Sequence, residues 1–140
     1  MLDTADRLAI HELIGLYGIV IDERDWARAG ELFTAEVVYD MSELGLGTLH
    51  GIDAVLHLWR SREDLHPLAH HATNIVITPG ADHDTASVIS KGIGVGYKGR
   101  VGSVTYRDVV RRTADGWRIA SRHARLRKPV TAEREPAAAD

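Results

Sequence analysis

The sequence contains eight histidines in 140 residues, and histidine is the side chain best suited to move protons at neutral pH. An unperturbed imidazole titrates near about pH 6.5, so its neutral form is available as a base at pH 7. A carboxylate bonded to the far ring nitrogen fixes the tautomer and stabilises the imidazolium formed on proton abstraction. A tyrosine hydroxyl can donate a hydrogen bond, and an arginine can balance developing negative charge. The first candidates of these types are Tyr17, Asp22 and the run of residues 70–74.

Three further patterns resemble functional motifs, but each is better explained structurally. Gly94-x-Gly96-x-x-Gly99 matches a dinucleotide-binding string, which requires a following helix to meet the phosphate, whereas a strand is predicted here. His66 and His70 would share a strand face, but no third ligand stands at a recognisable spacing. We therefore predict no cofactor and no metal. A basic cluster near the last strand is interpreted as mostly a solvated strand end; it consists of Arg122, Arg125, Arg127 and Lys128.

The composition indicates one globular domain, since 44% of the residues are apolar and 26% are charged. The absence of cysteine excludes a disulfide scaffold, a thiol nucleophile and a cysteine zinc site. A net charge of -3 and a pI near 6.2 argue against nucleic-acid binding. No apolar stretch is long enough to span a membrane, and the first ten residues lack the basic start of a signal peptide. We expect a cytoplasmic protein.

Helices are predicted in the first half of the chain. Apolar residues at steps of three and four predict an amphipathic helix over residues 3–22, capped by Asp3 or Thr4. Its apolar stripe comprises Leu8, Ile10, Leu13, Ile14, Tyr17, Val20 and Ile21. A shorter helix should begin at Asp25, and a third should span residues 52–62. A strand over residues 37–40 and a loop over 45–51 are predicted between them.

Four long strands are predicted after Pro67, and their turns make neighbours antiparallel. They cover residues 70–78, 85–97, 101–112 and 117–127, and the turns are Pro79-Gly80, Lys98-Gly99 and Asp115-Gly116. Gly92, Gly94 and Gly96 share one face, where missing side chains allow a bend or a close approach. The pattern predicts an α+β domain over residues 1–128, with N-terminal helices packed into a strongly curved antiparallel sheet. Residues 129–140 lack an apolar period and are predicted to be a flexible tail.

Several motifs, each weak alone, occur in an order that resembles a known family. They are Leu16-Tyr17, Ile21-Asp22-x-x-Asp25, Leu32-Phe33-Thr34, His70-x-x-Thr73-Asn74, Tyr106-x-Asp108 and Gly116-Trp117-x-Ile119-x-x-Arg122. Together, over residues 3–127, they resemble the SnoaL-like domains of the nuclear transport factor 2-like (cystatin-like) superfamily. The resemblance implies a cone-shaped domain with a hydrophobic pocket inside. The enzymes closest in pattern are the scytalone dehydratases and the hexachlorocyclohexane dehydrochlorinases.

The same resemblance implies roles for individual residues. In the dehydrochlorinases, an aspartate at the end of the first helix orients a histidine of the sheet, and an arginine of the last strand assists. These positions match Asp22, His70 and Arg122. The dehydrochlorinase lysine of the first helix falls on Tyr17, which is closer to the dehydratase style. The implied roles are His70 as general base, Asp22 as its orienting partner, Tyr17 as hydrogen-bond donor or acid, and Arg122 as electrostatic helper.

The strand pattern leaves the inward histidine open. His71 alternates with Thr73, Ile75 and Ile77 on the more apolar face, so periodicity alone favours His71. The resemblance favours His70 instead.

The other candidate residues also have structural explanations. Asp22 lies off the apolar stripe and reaches a pocket only if the helix ends or turns nearby. Arg122 could equally pair with Asp108 across neighbouring strands. Asn74 is interpreted as a hydrogen-bonding support. The remaining candidate substrate-binding residues, which could equally be core, are Tyr39, Leu56, Trp59, Tyr106 and Val110.

These residues predict a cofactor-independent lyase that performs a dehydratase-type β-elimination on a small hydrophobic or aromatic-like metabolite. Isomerase or polyketide-cyclase chemistry also begins with proton abstraction, and the leaving group belongs to the substrate. The alternative from another class is a non-catalytic ligand-binding module or a dioxygenase small subunit, because one fold hosts many functions. Self-association as a homodimer or homotrimer is expected, since a sheet of this kind exposes an apolar face.

Overall fold

The N-terminal part of the chain forms three helices. In the computed structural model, which describes residues 1–127, helix α1 spans Thr4–Asp22, a short α2 spans Ala29–Leu32 and α3 spans Ile52–Ser61. Asp3 caps α1 as predicted, because its carboxylate accepts the backbone N–H of Asp6 and the Asp6 carboxylate accepts the N–H of Asp3. The predicted tail, residues 129–140, lies outside the described residues.

The sheet has six strands and is mixed, which corrects the predicted antiparallel sheet. The strands are β1 (Phe33–Asp40), β2 (Thr48–His50), β3 (Ala69–Pro79), β4 (Thr85–Val95), β5 (Val101–Thr113) and β6 (Gly116–Leu126). Their order is β2-β1-β6-β5-β4-β3. Strands β3 to β6 form the predicted antiparallel meander, but β1 pairs with β6 in parallel. No tight turn joins these two strands, so local sequence signals could not specify their relative direction.

The segment between α1 and α3 differs most from prediction. Asp25 makes no side-chain cap bond, and a 3₁₀ turn at Trp26–Arg28 leads directly into the four-residue α2. Strand β1 begins at Phe33 rather than at residue 37, because an aromatic and β-branched run favours extended structure. The predicted loop over residues 45–51 contains β2, which pairs antiparallel with β1.

The core lies between the helices and one face of the sheet. An aromatic cluster forms its centre, with ring centroids 5.8–6.3 Å from neighbouring rings; its members are Tyr17, Phe33, Tyr39, Trp59 and Tyr106. Leu8, assigned to the apolar stripe of α1, is 61% exposed instead. Among the described residues, no helix is long and apolar enough to cross a membrane.

Candidate active site

A cavity of about 620 Å³ lies between α1, α3 and the inner face of the sheet. Its volume falls within the range of small-molecule sites, which is about 300–1,000 Å³. Tyr17, Tyr39, Trp59 and Tyr106 contribute aromatic walls, and His70 lies on its β3 side. The remaining wall is mainly aliphatic, so the cavity suits a hydrophobic molecule.

A β-bulge in β3 turns His70 toward this cavity. Thr73 pairs with Lys91 whereas Val76 pairs with Ile89, so the register shifts by one residue between them. Asn74 is the extra residue, and its φ of +53° lies in the left-handed region that asparagine tolerates better than most side chains. The bulge reverses the alternation of side chains along the strand.

The reversal resolves the choice between the two neighbouring histidines. Before the bulge, His70 and Ala72 are half-buried while His71 and Thr73 are exposed. After the bulge, Ile75 packs against the core. The apolar residues that favoured His71 by periodicity therefore share the inner face with His70, whereas His71 is exposed, although it also borders the cavity.

Helix α1 approaches β3 closely through Gly18. A Cβ at this position would lie under 3 Å from the backbone carbonyl oxygen of His70, a separation that real Cβ atoms do not show. Gly18 is one turn before Asp22, so both lie on the same side of the helix. Because glycine adds no apolar side chain to the pattern, hydrophobic periodicity did not mark this face of the helix as buried. The pattern therefore placed Asp22 off the apolar stripe. Helix α1 also ends at Asp22, as predicted, but Asp22 does not itself line the cavity and is connected to it through His70.

The Asp22 carboxylate holds both the backbone and the ring of His70. Its oxygens accept the His70 backbone N–H at 3.1 and 2.9 Å. Asp22 Oδ1 also lies 2.7 Å from His70 Nδ1. Both side chains are largely buried, with 20% and 17% exposure. A carboxylate only accepts, so Nδ1 carries the proton and Nε2 of neutral His70 retains a lone pair.

Two tyrosine hydroxyls meet at the inner end of the cavity. The hydroxyl oxygens of Tyr17 and Tyr39 are 2.7 Å apart, so one donates to the other and one hydrogen remains to donate onward. Burial, with a further contribution from Tyr17, raises the pKa of Tyr39 well above its ordinary range. Tyr39 therefore stays protonated and acts as a hydrogen-bond donor, not as an acid.

Arg122 lies behind the tyrosines and pairs with Asp108, which was the structural alternative to a catalytic role for this residue. Its Nε and Nη2 donate to the two oxygens of Asp108, each at 2.8 Å, and both side chains are fully buried. The guanidinium carbon is 4.2 Å from the ring centre of Tyr17 and 4.1 Å from that of Tyr106. Burial opposes the charge, but Asp108 more than offsets this, so the pKa of Arg122 is raised. Arg122 is not part of the cavity wall.

His66, which the sequence pattern suggested only as a candidate metal ligand, is a second imidazole in the cavity wall. Its ring centre is 6.4 Å from that of His70, and its Nε2 is 3.1 Å from the backbone oxygen of Trp59. Since a carbonyl only accepts, Nε2 carries the proton and Nδ1 is the acceptor in the neutral form. Burial is the main cause that lowers the pKa of His66. His66 is thus a neutral acceptor beside the Asp22–His70 pair.

Three residues considered as substrate contacts lie outside the cavity. Asn74 is exposed at the bulge, where it accepts a hydrogen bond from Thr73. Val110 is fully buried in the core, and Leu56 lines a separate shallow surface depression. In the described part of the chain, no group of three or more His, Cys, Asp or Glu residues could hold a metal ion.

Solved structures with the same architecture include proteins of similar length. A proposed aromatic ring hydroxylase from Novosphingobium aromaticivorans is 30% identical, with a TM-score of 0.76 over 92% of this chain and 94% of its own. A nuclear transport factor 2-like protein with a cystatin-like fold from the same organism is 27% identical, with a TM-score of 0.75 over 91% and 86%. A type 3 hexachlorocyclohexane dehydrochlorinase from Novosphingobium barchaimii is 20% identical, with a TM-score of 0.73 over 89% and 88%. At that identity the likeness shows the fold alone.

The family follows from the sequence as a whole rather than from one neighbour. Among proteins with curated functions, none matches the chain significantly. The model of the SnoaL-like domain matches residues 3–123, and the structural neighbours share its cystatin-like fold. The chain therefore belongs to the SnoaL-like domain family.

Proposed function

We propose that this protein is a cofactor-independent lyase that removes a proton from carbon and expels a leaving group from a small hydrophobic substrate. The observation that carries the proposal is the 2.7 Å contact between His70 Nδ1 and Asp22 Oδ1 at the wall of a largely apolar cavity. This contact leaves His70 Nε2 as the basic atom. Elimination as the reaction class comes from the resemblance of the sequence motifs to the dehydratases and dehydrochlorinases, and solved dehydrochlorinases share the fold.

The reaction can be written with His70 as both base and acid. Nε2 takes a proton from the substrate carbon, and the C–H electron pair forms the new double bond as the leaving group departs. Asp22 stabilises the imidazolium, and His70 then gives the proton to the departing hydroxyl, which leaves as water. General acid–base catalysis of this kind supplies about 10²–10⁴-fold.

The tyrosine pair would act on the oxygen of the substrate rather than on its proton. A substrate carbonyl that accepts the free hydrogen of the Tyr17–Tyr39 pair has a more acidic neighbouring C–H bond. The burial of both rings keeps this donor away from water, where it would be weaker. The buried Arg122–Asp108 pair behind them positions the rings and does not contact substrate.

The first test is the tautomer of His70, observed by ¹⁵N NMR of the imidazoles. We expect His70 to be protonated on Nδ1 in its neutral form. In Asp22→Asn the amide can either donate or accept, so the single tautomer should be lost. A wild-type His70 protonated on Nε2, or a spectrum unchanged by the substitution, would contradict the proposed pair.

The second test is exchange of carbon-bound hydrogen in D₂O, followed by mass spectrometry over a panel of cyclic ketones and β-hydroxy ketones. The wild type should incorporate deuterium or eliminate water, and His70→Gln should lose this activity while remaining folded. His11→Gln is the matched control, because His11 is exposed and does not line the cavity. Equal losses in the two variants would refute the role of His70.

The same pair also suits isomerisation or ring closure, in which His70 returns the proton to another atom of the substrate. Deuterium incorporation without loss of water in the panel would identify that class.

A second candidate is a subunit of an oxygenase, favoured by the 30% identity to a proposed aromatic ring hydroxylase. It predicts a stable assembly with a larger partner, and it predicts that His70→Gln changes activity only through assembly.

A further inference from the structure

The two arginines among the residues that line the cavity give it a positive charge. Arg62, the residue that follows α3, and Arg100, the residue that precedes β5, both line the cavity and are exposed. Among the described residues that line it, none is Asp or Glu. The rim thus presents two guanidinium groups with no carboxylate of the wall to neutralise them.

Two neighbouring acidic residues are engaged elsewhere, and Asp64, which is exposed, does not line the cavity. Glu63 follows Arg62 in the chain but pairs with Arg24 at 3.5 Å. Asp22 is bonded to His70. Within residues 1–127, neither Arg62 nor Arg100 forms an ion pair, whereas Arg24, Arg28, Arg111, Arg112 and Arg122 do.

The inner part of the cavity offers no comparable site for a charge. Its polar groups at that end are the hydroxyls of Tyr17, Tyr39 and Tyr106. The charge of Arg122 behind them is paired with Asp108 at 2.8 Å, and its buried Nη1 has no hydrogen-bond partner among the described residues. An anion buried there would lose its hydration without gaining a free cation. The apolar walls and the cationic rim therefore suit different parts of one molecule.

We propose that the substrate is an amphipathic carboxylate, with a ring body inside the cavity and its carboxylate at the rim between Arg62 and Arg100. This proposal deepens the proposed function, because it assumes that the cavity is the substrate site. Guanidinium groups bind carboxylates through paired, charge-assisted hydrogen bonds. Binding energy obtained at the rim, away from the reacting carbon, holds that carbon against His70 Nε2.

Isothermal titration with 2-naphthoate and 2-naphthamide tests the proposal, because these probes share one ring body and differ in the charge of the head group. The wild type should bind the carboxylate at least about tenfold more tightly than the amide, and added salt should reduce this preference. In the double variant Arg62→Gln with Arg100→Gln, the ratio of the affinities for naphthoate and naphthamide should fall to about one, while naphthamide affinity stays unchanged.

Arg107→Gln combined with Arg125→Gln is the matched control, because it also removes two positive charges, from exposed side chains that do not line the cavity. The proposal is overturned if naphthamide binds as tightly as naphthoate, if neither probe binds, or if the control lowers naphthoate affinity as much as the double variant. The titration measures binding alone. A wild type that shows the single His70 tautomer but no preference for naphthoate would overturn this proposal and leave the acid–base function standing. A wild type that prefers naphthoate but lacks the single tautomer would support this proposal and overturn the acid–base pair.

Discussion

Because α1 approaches β3 closely at Gly18, we predict that the substitution Gly18→Ala will break the hydrogen bond between Asp22 and His70. In Gly18→Ala the new Cβ would lie under 3 Å from the His70 carbonyl oxygen. Helix and strand would have to separate by about 1 Å to restore van der Waals distance. The contact between Asp22 Oδ1 and His70 Nδ1 is 2.7 Å, so such a shift takes it beyond normal hydrogen-bond length.

The expected loss in the deuterium-exchange assay is about 100-fold, the usual effect of a 1 Å misplacement of a catalytic group. ¹⁵N NMR should show loss of the single His70 tautomer. In urea unfolding, the gain in helix propensity of about 0.5–1 kcal/mol is opposed by overpacking, which costs about 1–3 kcal/mol. Gly18→Ala should therefore be no more stable than the wild type.

Gly15→Ala is the control on the same helix. A Cβ at Gly15 meets nothing within 4 Å, so the variant should gain about 0.5–1 kcal/mol of stability and keep the His70 tautomer. The reasoning fails if Gly18→Ala behaves like Gly15→Ala, because the close approach would then not position Asp22.

Further predictions concern buried charges and histidine. Hydrogen bonds from Arg112 and Trp117 lower the pKa of Asp6 to about 2 from an ordinary value of 3.8. The stabilisation of the folded state by these bonds to ionised Asp6 is therefore complete well above pH 3.8 and is lost as the pH falls toward 2. The urea midpoints of the wild type and Asp6→Asn should differ at pH 7 and become equal at the acid end of this range. Asp108→Asn leaves the Arg122 charge buried and unpaired and should cost about 3–5 kcal/mol in urea unfolding; a cost under 1 kcal/mol would show that water reaches the guanidinium. Burial lowers the pKa of His66, so NMR should find it neutral with the proton on Nε2 at a pH where exposed histidines are charged. A normal titration would contradict its burial, and a proton on Nδ1 would contradict the Trp59 contact.

Much of the fold could be predicted because its signals are local. The Asp3 cap and the steps of three and four define α1. The last hairpin forms where a turn was predicted, although its two turn residues are Ala114 and Asp115, and Gly116, with a φ of +109°, already pairs with Thr113. The order of the motifs identified the SnoaL-like family. The parallel pairing of β1 with β6 and the small strand β2 could not be predicted, since they depend on contacts between segments distant in the chain.

The candidate site, like the fold, could be predicted from the sequence only in part. The residue types indicated an acid–base pair, and the family resemblance indicated the positions Asp22 and His70. The tertiary structure brings the two side chains together, because a bulge at Asn74 inverts which side chains of β3 face inward. It also decided that Arg122 lies behind the cavity with Asp108. The physical reason is that a one-residue shift in strand register, and a glycine at a helix–strand contact, change side-chain direction and separation without changing the hydrophobic pattern.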